Sequence, residues 1–73
     1  MATFEIRCEV AGKVVRIEAP AGSRVAAEDP VLLVECMKME IPVGAPAPGV
    51  IEVLLVAEGE QVAEGQHVAT LRA

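Results

Sequence analysis

Val31-Leu32-Leu33-Val34-Glu35-Cys36-Met37-Lys38-Met39-Glu40-Ile41 runs unbroken between Pro30 and Pro42. That is about twice the usual strand length of ~5–6 residues, so the segment must either turn or coil. Glu, Met, Leu and Lys are good helix formers, which leaves a short helix open. Two features favour a turn. Val31 to Val34 is the continuous aliphatic run of a buried strand, and from Met37 onward Met39, Ile41 and Val43 alternate with Lys38, Glu40 and Pro42. A hairpin with its tip at Met37-Lys38 satisfies both runs. Such a tip breaks a local preference, because two-residue hairpin turns ask for positive φ and select Asn-Gly or Asp-Gly. Local rules are broken mainly at functional or strained positions. Lys38 therefore stands out from its immediate context alone.

Outward from this segment the chain reads as β structure. Phe4, Ile6, Cys8 and Val10 alternate with Thr3, Glu5, Arg7 and Glu9, the period of a half-buried strand. Prolines at 20, 30, 42, 46 and 48 and glycines at 12, 22, 44, 49, 59 and 65 leave little room for an ordinary helix. Hydrophobic residues make up 53% of the 73, and Phe4 is the single aromatic. A core without large rings suits closely spaced strands of β-branched and aliphatic residues. The expectation is one all-β domain over residues 1–73, a sandwich or small barrel of short strands.

Sliding the sequence against itself by 37 residues sharpens this. Gly12 falls on Gly49, Gly22 on Gly59, Val25 on Val62, Ala26 on Ala63 and Val31 on Val68, while Val14 meets Ile51, Ile17 meets Leu54 and Val34 meets Leu71. No gap is needed. Two quasi-repeats that meet near Met37-Lys38 are expected, as two similar β-halves packed face to face.

Composition excludes several functions. The net charge is −5, and Arg7, Lys13, Arg16, Arg24, Lys38 and Arg72 are scattered singly, which does not make a nucleic-acid surface. With Phe4 as the single aromatic, there is no series of rings on which to stack single-stranded bases. No apolar run reaches the length of a membrane span and no signal peptide opens the chain, so a cytoplasmic location is the default expectation. Cys8 and Cys36 read as two reduced thiols without metal-ligand spacing. His67 reads as a surface histidine, and Ser23, the only serine, lacks a matching His and acid. An enzyme in its own right is not expected.

Glu35-Cys36-Met37-Lys38-Met39-Glu40 resembles the attachment motif of the biotinyl/lipoyl carrier family, which most often reads Glu-Ala-Met-Lys-Met. Gly12 and Gly49, the Glu58-Gly59 and Glu64-Gly65-Gln66 turns and Ala47-Pro48-Gly49 look like further landmarks, so the likeness covers nearly the whole chain. The resemblance implies a flattened barrel-sandwich hybrid of two four-stranded antiparallel sheets with pseudo-twofold symmetry. It implies covalent biotin on Lys38, placed there by a separate biotin protein ligase, with Met37 and Met39 met by the partners. The function implied is a biotin carboxyl carrier, shuttling carboxyl between the biotin carboxylase and carboxyltransferase sites of a biotin-dependent carboxylase of acyl-CoA type. The chain would be a monomer in isolation, either free-standing or one domain of a larger protein. A lipoyl carrier of a 2-oxo acid dehydrogenase or glycine cleavage system is the alternative, although lysines of that type usually sit in Asp-Lys-Ala.

Three departures from the family pattern stand out. Cys36 replaces the usual Ala and reads as a buried, inert thiol. Glu28-Asp29 stands where the second half has Gly65-Gln66, so those two turns need not match. Cys8-Glu9-Val10-Ala11 occupies the place of Ala45-Pro46-Ala47-Pro48. Some relatives carry an inserted thumb over the biotin; the gapless offset leaves no residues for one. A biotinyl-lysine arm of roughly ten bonds would reach on the order of 12–15 Å.

Overall fold

A computed structural model describes residues 2–73. Eight strands follow in order: β1 (Thr3–Arg7), β2 (Gly12–Ile17), β3 (Arg24–Val25), β4 (Pro30–Cys36), β5 (Met39–Gly44), β6 (Gly49–Leu54), β7 (Gln61–Val62) and β8 (His67–Arg72), with no helix among the described residues. They form two four-stranded antiparallel sheets, ordered β1-β8-β6-β3 and β5-β4-β2-β7.

The 37-residue offset turns one sheet into the other. It carries β1 onto β5, β8 onto β4, β6 onto β2 and β3 onto β7. Each half therefore contributes two strands to each sheet. The sequence reading of two β-halves packed face to face is corrected here: the layers are the sheets, and the halves are interleaved through both. β1 finds its partner in β8 and β3 finds its partner in β6, both from the other half, because hydrogen-bonding edges have to be closed wherever a strand is available.

The core obeys the same symmetry. Its buried residues fall into pairs 37 apart: Ile6 with Val43, Cys8 with Ala45, Val14 with Ile51, Ala19 with Val56, Val25 with Val62, Val31 with Val68, Leu32 with Ala69 and Val34 with Leu71. The large member of a pair sits in either half (Leu32 over Ala69, Leu71 over Val34), so the filling is shared without any ring. Burial desolvates the Cys8 thiol and raises its pKa. Both cysteines are free. Cys36 is only half-buried, which corrects the expectation of a buried thiol: it lies at the last residue of β4, where the barrel ends and few neighbours remain to cover it. Phe4, on the apolar phase of β1, is 36% exposed because it stands on an edge strand.

Turns also match. Gly22 and Gly59 adopt φ near +90° and donate their N–H groups to Ile51 and Val14 carbonyls, both at 2.7 Å. The Glu28-Asp29 turn was free to differ from Gly65-Gln66, yet the two share one geometry. Glu28 takes φ 73° and Gly65 φ 83°. Ala26 N donates to the Asp29 carboxylate at 2.9 Å, and Ala63 N donates to the Gln66 side-chain oxygen at 2.9 Å. A carboxylate and an amide oxygen accept equally well at this position, so the sequence change leaves the turn intact.

Candidate functional site

Strands β4 and β5 pair from Pro30↔Gly44 through Leu33↔Pro42, Val34↔Ile41 and Glu35↔Glu40 to Cys36↔Met39. Two residues remain to connect them, Met37 and Lys38. With φ 52° and 66° they form a turn with positive φ at both central positions, the I′ type that suits the twist of a hairpin. A non-glycine residue in this region costs roughly 1–2 kcal/mol. The tip therefore holds local strain, and the packing behind it supplies the compensation. β4 lies between β5 and β2 and buries Val31, Leu32 and Val34 completely. Gly12 lets β2 press against β4 here; a Cβ at that position would run into the Glu35 carbonyl and Val34. Pro42 on edge strand β5 sits where a missing N–H is tolerated.

What this scaffold presents is a lysine between two methionines, outside the fold. Met37 is 90% exposed and Met39 63%, the two highest values among the large hydrophobic residues that the structure describes. Lys38 is exposed and takes part in no salt bridge among the described residues. Two steps behind the turn, Glu35 and Glu40 are direct cross-strand partners, and Lys13 lies opposite Glu35 on the other side. Opposed like charges oppose pairing rather than help it. This face-to-face pair was not drawn from the sequence, although it follows once the two turn residues are known.

The other singled-out residues lie elsewhere. His67 is half-buried at the start of β8, its Nε2 3.0 Å from Thr70 Oγ1. Ser23 is half-buried in the β2–β3 connection, where its backbone N–H donates to Pro20 O. A surface depression of about 300 Å³ is lined by Arg7, Glu9, Val10, Glu28 and the end of β5, away from the tip. The β2–β3 connection that would hold an inserted thumb has the same length as its mate between β6 and β7. Glu18 N to Val31 O corresponds to Leu55 N to Val68 O, so no extra loop leaves the barrel there. Chemically, the tip offers one projecting amine that an incoming active site can surround, with apolar thioethers on both sides.

Comparison with known proteins agrees with this geometry. The family model described as biotin-requiring enzyme, of biotin/lipoyl type, matches residues 4–71. The chain is 30% identical over 67 residues to the biotinylated protein TB7.3 homolog of Mycobacterium leprae, covering 92% of this chain and 94% of that one. It is 37% identical over 60 residues to pyruvate carboxylase of Staphylococcus aureus, covering 82% of this chain but spanning only 5% of that much longer relative. Among solved structures, urea carboxylase of Kluyveromyces lactis superposes with TM-score 0.93 at 30% identity, over 99% of this chain and 6% of that one. The lipoyl domain of the 2-oxoglutarate dehydrogenase complex from Azotobacter vinelandii superposes with TM-score 0.72 at 26% identity, over 88% and 81%.

Proposed function

The chain belongs to the biotin/lipoyl attachment family and is a carrier domain, and on that premise we propose that biotin is its cofactor and Lys38 the attachment point. The observation that carries this is the exposed Met37-Lys38-Met39 turn, held in a strained conformation by a rigid hairpin. The residues fit the group: the amine projects, and among the described residues no anionic side chain pairs with it. Bound biotin would supply a ureido nitrogen that carries carboxyl. The chain's part is placement. The tip lets an amide form at Nζ without distorting the barrel, and tethering keeps the group at high local concentration near each docked active site.

The domain would serve a biotin carboxylase and a carboxyltransferase, with an acyl-CoA acceptor and a biotin protein ligase as the modifying partner. It would act as a monomeric carrier in the cytoplasm. Its relatives named pyruvate carboxylase and urea carboxylase support the carboxylase setting. The likeness to a lipoyl domain keeps lipoyl as the competing cofactor, against which stand the methionines on both sides of Lys38.

Intact mass and an avidin blot on protein from its native host test the cofactor directly. Wild type should carry one biotin, and Lys38→Arg should carry none while keeping its far-UV spectrum. Biotin on Lys13, or a lipoyl mass on Lys38, would overturn the reading. Carboxyl transfer from the loaded chain to an acyl-CoA, pyruvate or urea then identifies the acceptor.

A further inference from the structure

Among the described residues, oxidisable sulfur is concentrated beside the acceptor lysine. Cys36, Met37 and Met39 fall within four consecutive positions, whereas the other sulfur among the described residues, Cys8, is buried. The Met37 and Met39 thioethers are also the most exposed large apolar groups among the described residues, at 90% and 63%. Neither exposure serves the fold. Met37 buries almost nothing, and its positive φ would be adopted more cheaply by Asn or Gly. What these side chains can do at that position is meet a protein that closes over Lys38.

Resting on the carrier reading above, we propose that Met37 and Met39 form a reversible oxidation site that controls acceptance of the chain by its biotin ligase. The oxidant is of the peroxide class. One oxygen atom passes to each thioether: an S–O bond forms, the O–O bond breaks, the sulfide sulfur is oxidised to sulfoxide and hydrogen peroxide is reduced to water. A methionine sulfoxide reductase reverses the step, releasing the oxygen as water while a dithiol is oxidised to a disulfide. The change converts a flexible apolar side chain into a polar one with a strong acceptor oxygen. Because the tip is exposed, the folded carrier tolerates this at no cost. A ligase that covers the tip to reach Nζ must bury that oxygen, and a buried acceptor without a partner is penalised. Losing the burial of one such apolar side chain amounts to a factor of roughly ten or more in an equilibrium constant.

The experiment uses the full chain in wild-type form and as Cys36→Ala, which removes thiol oxidation at the tip as a competing cause. Each is titrated with hydrogen peroxide, and the oxidised positions are read by peptide mass after trypsin. Cleavage at Arg24 and Lys38 puts Met37 and Met39 on separate fragments. Ligation rates are then measured before oxidation, after it and after repair by the two epimer-specific reductases. The expected result is a fall of about tenfold in kcat/KM with sulfoxide at both positions, an unchanged far-UV spectrum, and recovery on repair. Met37→Leu/Met39→Leu should be insensitive to peroxide. Full-rate ligation of a chain carrying both sulfoxides would overturn the proposal, as would the same peroxide loss in the double Leu variant of Cys36→Ala. Failure of the untreated chain to accept biotin would instead sink the carrier reading on which it rests.

Discussion

Met37 separates two roles that a methionine can have in a small β-domain. A buried one fills the core, and cutting it to Ala costs roughly 2–5 kcal/mol through lost transfer energy and the cavity left behind. An exposed one away from special features changes stability by about 0.5 kcal/mol or less. At 90% exposure Met37 belongs with the second kind, and Met39, the first residue of β5, lies nearer to it than to the first at 63%. Urea unfolding of Met37→Ala should thus give a midpoint within experimental error of wild type, while Val34→Ala, at a completely buried position three residues before Met37, should be clearly destabilised. A loss above ~2 kcal/mol for Met37→Ala would place its side chain in the core and remove the surface on which both proposals rest.

At the scale of the turn, the repeat supplies an internal control. Glu28 and Gly65 occupy equivalent sites, donate equivalent backbone bonds (Glu28 N to Ala45 O, Gly65 N to Cys8 O) and share a left-handed φ. Only glycine takes that conformation without steric cost. A side chain there loses roughly 1–2 kcal/mol, against which glycine's extra freedom in the unfolded chain takes back about 0.5–1 kcal/mol. Glu28→Gly should accordingly stabilise the protein by about 0.5–1 kcal/mol, read as a higher urea midpoint at unchanged slope. Glu28 joins no salt bridge among the described residues, so no ion pair is lost. An unchanged or lower midpoint would mean that the turn carries less strain than its φ implies. The same reasoning applied to Met37-Lys38 explains why a turn that Asn-Gly would favour keeps its present residues: strain is retained there for what the side chains contact.

Across the whole molecule, interleaving makes the two halves interdependent. Split near the tip, residues 1–37 retain only the β2–β4 pair, and residues 38–73 retain only β6–β8. β1, β3, β5 and β7 all lose their partners. A two-stranded pair alone is marginally stable at best in water. Each half prepared separately should show no cooperative urea transition and a far-UV spectrum of unfolded chain. A half that folds by itself, with dispersed amide resonances, would contradict the strand pairing described here. The symmetry also places the hairpin tip and the meeting point of the chain ends at equivalent positions, the latter closed by Ala73 N donating to Ala2 O at 2.9 Å.

Much of this was legible in the residues themselves. Alternation in β1, the aliphatic run before Glu35 and the alternating run after Met37 locate strands, because side-chain period is a local property of an extended backbone. The hairpin follows from length, and suspicion of Lys38 follows from a turn occupied by the wrong residue types. The 37-residue repeat announced that two halves are alike. It was silent on how they combine, since equal halves can stack as layers or exchange strands, and only hydrogen-bond closure over long sequence separations chooses between those. Tertiary structure likewise decided that Glu28 accepts a glycine's conformation, because Asp29 and the Ala45 carbonyl bind the turn around it. It also decided that Cys36 is half-covered while Cys8 is sealed: one lies at the end of the barrel and the other within its core, and burial depends on what other strands bring to each place.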